Sequence, residues 1–317
     1  MGASCLYIAA SICGEARPFR KRLDQSGRRS GDALKWVLFF ALVIGAAVAI
    51  LFTVFPDWDM AIASLFWDAP GRHFVLAAAP WAQTVRNLAN WIPWAIAAPA
   101  FAAIVLKVLL PRAKMFMNPR AAVLLAVTMA LGPGLVVNGI LKSHWGRPRP
   151  VHVETFGGKD EYRPWYRTDG TCPGNCSFVS GEGALGFWLT APASLVPGPA
   201  GAVAMVAAVA FGTVAGGLRI AFGGHFFTDV VFSGVLVVLI VVATRFLLYD
   251  RKGAPGDAEV ERAIGRAGLA LQGFARTLWL GLRLFGRRIA RRARAMRGDR
   301  PRRDVPPRDL PRRGTGL

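Results

Sequence analysis

The chain has 317 residues, of which 53% are hydrophobic, and its formal net charge is +20. This composition is too apolar for an ordinary soluble domain and indicates a membrane protein. Because long apolar runs separate the basic residues, anionic lipid headgroups are better candidate partners than nucleic acid.

Six segments are apolar and long enough to cross a bilayer, whose hydrocarbon core needs about 20 residues of helix. A basic tail, residues 1–34, precedes them. The spans are expected at about 36–55, 92–110, 121–141, 178–196, 201–220 and 230–248. The fourth contains the polar stretch SGEG near its start. The sequence therefore predicts an all-α, polytopic membrane protein, with six transmembrane helices in a bundle over residues 35–248.

The distribution of basic residues predicts the orientation of these spans. Lysines and arginines are concentrated in the N-terminal tail, in the short loop after the second span and in the C-terminal tail. By the positive-inside rule, these three regions face the cytoplasm. The loops 57–90 and 142–177 and the turn 221–228 are then extracytoplasmic.

The C-terminal region divides into two parts. Residues 249–297 show apolar positions spaced among arginines, a pattern typical of an interfacial helix that lies on anionic lipid headgroups. Residues 298–317 are rich in Arg and Pro and are expected to be disordered.

Three polar stretches adjoin different spans and fall on the same predicted side. They are KSHWGRPRP (142–150), SFVSGEG (177–183) and GGLRIAFGGHFFTDVV (216–231). Ionisable groups at a membrane boundary are costly, so their clustering indicates a functional pocket on the extracytoplasmic face.

The cations of these stretches suit a phosphate ligand. Lys142, Arg149 and Arg219 would repel one another unless an anion lay between them, and guanidinium groups match phosphate oxygens. Ser180 and Gly181 lie near a predicted helix N-terminus, where free N–H groups bind anions. Two alternatives stay open for single residues: Lys142 extends to the membrane interface, and Arg147 contacts a headgroup or braces its loop.

A candidate nucleophile lies at the start of the sixth span. His225 and Asp229 are four residues apart, which places them on one face of a helix that begins near His225. Asp229 can then accept a hydrogen bond from one ring nitrogen and leave the other free to attack.

The spacing of the four cysteines argues against a metal site, because it contains no C-x-x-C pair. Cys172 and Cys176 share the polar loop, where either a disulfide or two free thiols is compatible with the sequence.

Two of the polar stretches match long-spaced motifs. Lys142, Arg149 and Pro150 fit K-x6-R-P, and R-x5-H-x3-D is fitted by Arg219, His225 and Asp229. These resemble the first and third signatures of the type 2 phosphatidic acid phosphatase superfamily. The resemblance implies hydrolysis of a phosphomonoester or pyrophosphate through a phosphohistidine, without a metal or other cofactor. It implies that His225 attacks phosphorus and Asp229 orients it. The residues that would bind the phosphate are Lys142, Arg149, Ser180, Gly181 and Arg219.

The middle signature departs from the family pattern, which usually reads P-S-G-H. Here the sequence is Val179-Ser180-Gly181-Glu182. The family's histidine protonates the leaving oxygen, and a protonated Glu182 can do the same work. The alternative is a salt bridge between Glu182 and one of the arginines.

The sequence thus predicts a lipid phosphatase of the bacterial inner membrane, with its active site facing the periplasm. The resemblance favours lipid A, at the 1- or 4′-phosphate, as the substrate, with undecaprenyl pyrophosphate or phosphatidylglycerophosphate as the alternative. A different class, an anionic-lipid transporter or a non-catalytic lipid-binding protein, remains open. A transporter is expected to place its polar groups near the bilayer midplane.

Overall fold

The computed structural model describes residues 33–296, so the disordered tail expected over 298–317 and most of the basic N-terminal tail lie outside the described residues. Within that range, five helices are long and apolar enough to cross a membrane. They are α1 (Ala33–Val54), α3 (Pro80–Leu109), α4 (Pro119–His144), α7 (Gly198–Ala221) and α8 (Phe227–Asp250). The prediction of an all-α membrane protein is confirmed at this level.

The segment between α1 and α3 forms a small cap. It contains the helix α2 (Asp57–Ser64) and the two-residue strands β1 (Trp67–Asp68) and β2 (His73–Phe74), which pair antiparallel. The aromatic ring of Phe74 packs on Phe156 with ring centroids 5.2 Å apart. The cap therefore covers the loop that follows α4, where the chain makes the 3-10 turns Pro150–His152 and Glu154–Phe156.

The helix α3 begins twelve residues before the predicted second span. Pro80 occupies its first position, where a missing N–H costs no hydrogen bond. The stretch PWAQTVRNLANW continues the helix beyond the apolar run, and it places Arg86 within reach of the polar pocket described below.

The helix α4 changes its hydrogen-bonding pattern near its middle. Its start is capped by Asn118, whose Oδ1 accepts a hydrogen bond from the N–H of Ala121 at 3.0 Å. From Ala130–Leu141 the helix has the wider π form, and Pro133, which cannot donate a backbone hydrogen bond, lies inside this stretch. The helix then ends on the turn Lys142–His144.

The fourth predicted span is two short helices rather than one long helix. They are α5 (Gly181–Trp188) and α6 (Thr190–Ala193). Pro192 has no N–H to donate to the carbonyl of Trp188, which accounts for the end of α5 at that residue. The predicted count of six spans is therefore not confirmed.

The side chain of Trp188 is fully buried and donates Nε1–H to the Oγ1 of Thr128 at 2.9 Å.

The helix α5 packs closely against α7 and α8. A methyl group added at Gly186 would lie 2.7 Å from the Cα of Gly212 on α7, so only glycines permit this approach. The contact brings the N-terminus of α5 beside the C-terminus of α7 and the N-terminus of α8.

The chain continues beyond α8 into a long amphipathic helix, α9 (Asp257–Met296). Its first turns are attached to the ends of α3 and α4 by two ion pairs, Glu261 with Lys107 at 3.0 Å and Asp257 with Arg120 at 2.9 Å. After Gln272 its large apolar side chains are exposed.

Candidate active site

The three polar stretches converge at one end of the helices. Lys142 lies in the last turn of α4, Ser180 caps the start of α5, and Arg219 lies in the last turn of α7. His225 precedes α8, and Arg149 lies in the loop after α4. The convergence expected from the sequence is what the structure shows.

His225 is almost fully buried, and its ring is held by a carbonyl group. Nδ1 lies 2.6 Å from the backbone oxygen of Ser177 and 3.7 Å from Oδ2 of Asp229. Both oxygens can only accept, so the proton is on Nδ1 and Nε2 keeps its lone pair. Burial lowers the pKa of His225 to about 4, against the opposing effect of Asp229, and the imidazole is neutral at neutral pH.

The expected direct hydrogen bond from His225 to Asp229 is replaced by this contact with Ser177. The reason is the start of α8 at Phe227, two residues after the histidine. Asp229 then caps the helix, with Oδ2 accepting from the N–H of Phe226 at 2.8 Å and from the hydroxyl of Ser177. Asp229 is thus connected to His225 through Ser177, whose hydroxyl it binds and whose carbonyl contacts the ring.

Arg147 braces the site from its buried interior. Its side chain has no exposed surface, and Nη1 donates to Oδ1 of Asp229 at 2.6 Å. Nη2 donates to Oδ2 of Asp59 on α2 at 2.7 Å. Thr228 donates its N–H and its hydroxyl to Asp59. Of the two roles open for Arg147, the structure shows the brace.

Lys142 and Arg149 share one neutral partner. The backbone oxygen of Asn175 accepts from Arg149 Nη2 at 2.8 Å and from Nε at 3.1 Å. The side-chain oxygen Oδ1 of Asn175 accepts from Arg149 Nη2 at 2.8 Å and from Lys142 Nζ at 3.4 Å. A methyl group added at Gly181 would lie 3.1 Å from Lys142 Nζ, so the ammonium lies directly over the start of α5.

Ser180 and Gly181 form the beginning of α5. The hydroxyl of Ser180 accepts from the N–H of Gly183 at 3.2 Å. The backbone N–H of Ser180 donates to the backbone oxygen of Asp229 at 3.1 Å. The helix N-terminus is thereby attached to the start of α8. Its partial positive charge adds to that of the surrounding cations.

Glu182 is paired with two arginines. Arg86 donates Nε to both carboxylate oxygens, at 3.0 and 2.8 Å, and Nη2 to Oε1. Arg219 approaches the same carboxylate, with Nε 3.4 Å from Oε1. This geometry matches the salt-bridge alternative of the two roles considered for Glu182.

Arg219 depends on a glycine beside it. A methyl group added at Gly224 would lie 2.2 Å from Nη2 of Arg219, so a larger residue there would displace the guanidinium. The Nε of Arg219 is buried and makes no hydrogen bond within the described part of the chain. An anionic ligand in the pocket would supply an acceptor.

Four residues of this site were missed by sequence reasoning: Asp59, Arg86, Asn175 and Ser177. Asp59 and Arg86 are 88 and 96 residues from their partners and lie in no recognised motif. Ser177 contributes a backbone oxygen, which any residue would supply, and a hydroxyl that donates to Asp229. Asn175 carried one usable signal, its position between Cys172 and Cys176.

The match to known proteins covers the core of this site. Residues 121–252 match the family model described as the PAP2 superfamily. A curated lipid A 4′-phosphatase from Francisella tularensis subsp. novicida (strain U112) is 35% identical over 224 residues, which cover 67% of this chain and 98% of that protein. The chain belongs to the PAP2 superfamily. Membership of the type 2 phosphatidic acid phosphatase superfamily, expected from the two motifs, is confirmed.

Two further PAP2-like relatives cover shorter regions. The lipid A 4′-phosphatase of Rhizobium leguminosarum is 36% identical over 133 residues, or 42% of this chain and 57% of that protein. The lipid A 4′-phosphatase of Rhizobium etli is 40% identical over 134 residues, which cover 42% of this chain and 51% of that protein. No solved structure matches the chain. Asp59 and Arg86 lie outside the region that matches the PAP2 family model.

Proposed function

We propose that the protein is a membrane lipid phosphatase that removes the 4′-phosphate of lipid A through a phosphohistidine. The observation that carries the proposal is the neutral His225, with Nε2 free, in the same pocket as Lys142, Arg149 and Arg219. The relatives named lipid A 4′-phosphatase support this lipid over undecaprenyl pyrophosphate and phosphatidylglycerophosphate.

The first chemical step is attack of the His225 Nε2 lone pair on phosphorus. The three cations and the N-terminus of α5 bind the phosphate oxygens and stabilise the negative charge of the transition state. The bond between phosphorus and the sugar oxygen breaks, and the leaving oxygen takes a proton. The carbonyl of Ser177 and the carboxylate of Asp229 stabilise the positive charge that develops on the imidazole.

The second step is hydrolysis of the phosphohistidine. Water attacks phosphorus and gives one proton to the Glu182 carboxylate left by the first step. The bond between phosphorus and Nε2 breaks, its electron pair returns to Nε2, and inorganic phosphate leaves. The phosphate-binding residues supply the charge stabilisation in both steps, and the proposal needs no metal ion.

Glu182 has a different role in the empty and in the occupied pocket. In the empty pocket the carboxylate is the ion-pair partner of Arg86 and Arg219. A bound phosphate dianion competes for Arg219 and repels the carboxylate, which favours its protonated form. Glu182 is then the general acid that protonates the leaving sugar oxygen.

The phosphatase class is favoured over a transporter by where the polar residues lie. Lys142, Ser180, Arg219 and His225 all lie at helix ends, on one side of the bundle. A transport site is expected at broken helices near the bilayer midplane. A non-catalytic lipid-binding protein would not need a buried histidine with a fixed tautomer.

The proposed active site faces the periplasm. In this arrangement α5 and α6 together form a sixth crossing, packed between α7 and α8, and both tails are cytoplasmic. The disulfide between Cys172 and Cys176 supports this side, because disulfides persist in oxidising compartments. On the cytoplasmic side, the exposed apolar residues of α9 enter the membrane surface and its arginines contact anionic lipid headgroups.

The experiment that tests the proposed function is phosphate release by the purified protein in detergent with a chelator present. The substrates are lipid A, undecaprenyl pyrophosphate, phosphatidylglycerophosphate and phosphatidic acid. We expect release from lipid A by the wild type and by His144→Ala, which removes an exposed histidine at the end of α4, and none by His225→Ala. Lipid A species carrying only the 1- or only the 4′-phosphate give the regiochemistry by mass spectrometry. Release that requires a metal or survives His225→Ala would contradict the mechanism.

A further inference from the structure

A loop closed by a disulfide contacts two cations of the phosphate pocket, Lys142 and Arg149. The loop Cys172–Cys176 is closed by a bond between its two end residues, and Cys176 is fully buried. The N–H of Cys172 donates to the carbonyl of Gly146 at 3.1 Å, and that of Cys176 to the carbonyl of Lys142 at 3.0 Å. One end of the loop is thus fixed to the last turn of α4 and the other to the segment that follows it.

Asn175 is the residue of this loop that reaches the cations. Its two oxygens accept hydrogen bonds from Arg149, and Oδ1 also accepts from Lys142. Its φ of 51° lies in the left-handed region, where asparagine and glycine are the favoured residues. The closed loop therefore presents both oxygens of one residue to two basic side chains.

The side-chain amide of Asn175 can position the two neighbouring cations without neutralising their charge. Lysine and arginine side chains have many rotamers, and ordering them costs conformational entropy. An amide oxygen orients the cations and leaves their charge available for a phosphate dianion. The carboxylate of the pocket, Glu182, is paired with Arg86 and Arg219 instead.

We propose that Asn175, held in place by the Cys172–Cys176 disulfide, is a positioning residue that pre-orders Arg149 and Lys142 for binding the substrate phosphate. The proposal rests on the phosphate pocket of the proposed function. It predicts that the loop sets phosphate affinity and KM, while the attack by His225 and therefore kcat change much less.

The test measures binding of inorganic phosphate by 31P NMR line broadening, together with KM and kcat on lipid A. Asn175→Gly removes the whole side-chain amide, keeps the backbone oxygen and allows the positive φ, and we expect phosphate affinity to fall about 3- to 10-fold. Asn175→Asp places a carboxylate between the cations and is expected to weaken binding further. Gly174→Ala is the matched control, because its added methyl group meets no atom within 4 Å.

The disulfide is tested by the double variant Cys172→Ser/Cys176→Ser and by dithiothreitol on the wild type. The reagent supplies two electrons and two protons, which gives two thiols in the protein and a cyclic disulfide in the reagent. We expect both treatments to raise KM to a similar extent and dithiothreitol to have no effect on the double variant. Since Cys5 and Cys13 are present in both proteins, an effect that persists in the double variant would belong to them.

The outcomes separate this proposal from the proposed function. Phosphate binding without hydrolysis of any lipid, weakened in Asn175→Gly, would overturn the enzyme assignment and support the role of Asn175. Hydrolysis with unchanged phosphate affinity and KM in both Asn175→Gly and the double serine variant would overturn the role of Asn175. A wild type that binds no phosphate would overturn it as well.

Discussion

The Nδ1 atom of His225 lies 2.6 Å from the backbone oxygen of Ser177, and the carboxylate of Asp229 is 1.1 Å farther away, at 3.7 Å. The tautomer of the proposed nucleophile is therefore fixed by the main chain. A backbone acceptor cannot be removed by replacing a side chain, and this has consequences for how variants of the site will behave.

Loss of Asp229 should harm activity far less than loss of His225. His225→Ala removes the nucleophile, and we expect a fall in kcat on the order of 10^4-fold or more. Asp229→Asn leaves Ser177 to hold the tautomer, so we expect a fall of roughly 10- to 100-fold, against about 10^4-fold for the corresponding change in a Ser-His-Asp triad. Steady-state kinetics on lipid A measure both. Equal losses in the two variants would show that Asp229, not Ser177, fixes the imidazole.

The pH profile should show that the histidine stays reactive in mild acid. With the pKa of His225 lowered to about 4, the neutral form is retained as pH falls from 7 to 5 and is lost as pH passes through 4. We expect an acid limb in kcat/KM with its midpoint near pH 4. The second ionisation of a phosphate ester, near pH 6, gives a separate limb that moves when the substrate is changed. A substrate-independent midpoint near 6.5 would contradict the environment described for His225.

Glu182 should reveal its role through the leaving group. If it protonates the leaving sugar oxygen, Glu182→Gln slows release from lipid A by roughly 10^2- to 10^4-fold and has little effect on an activated aryl phosphate, which needs no proton. If it only positions Arg219, the two substrates lose activity equally, and the loss is in KM. Arg86→Gln is the matched variant, because it removes the principal partner of the carboxylate without removing the carboxylate.

The buried brace should dominate the stability of the pocket. Arg147→Met leaves Asp59 and Asp229 without their common partner, and we expect a loss of about 3–5 kcal/mol in the free energy of unfolding. Arg167→Met breaks an exposed pair with Asp169, which solvent screens, and should change the free energy of unfolding far less. Denaturant unfolding in mixed micelles compares the two variants. A similar small loss in both would mean that the buried network contributes little.

The exposed part of α9 should enter an anionic membrane surface. A fluorophore at Leu278→Cys, in a Cys5→Ser/Cys13→Ser background, should emit at shorter wavelength when the protein is reconstituted in anionic vesicles than in detergent. A fluorophore at Lys252→Cys, an exposed position in the turn before α9, is the control and should change little. Equal emission in anionic and neutral vesicles would contradict a role for the arginines.

The sequence predicted the parts of this site that depend on local spacing. Lys142 and Arg149 are seven residues apart across the end of α4, and the turn between α7 and α8 separates Arg219 from His225. Their location at the same end of the bundle therefore followed from the order of the spans. Asp59 and Arg86 carry no such spacing, because their partners are supplied by tertiary packing. The break at Leu189 was missed for a different reason. A hydropathy profile does not register the missing N–H of Pro192, which interrupts the helix within an otherwise apolar run.

The ion network through Arg147 has a consequence for genetics. Asp59, on α2, hydrogen-bonds to Arg147 and Thr228, and it shares Arg147 with Asp229. A random screen for loss of activity should therefore return substitutions at position 59 alongside those at position 229. A map of inactivating alleles would place the cap between α1 and α3 inside the active site, although it contributes no reacting group.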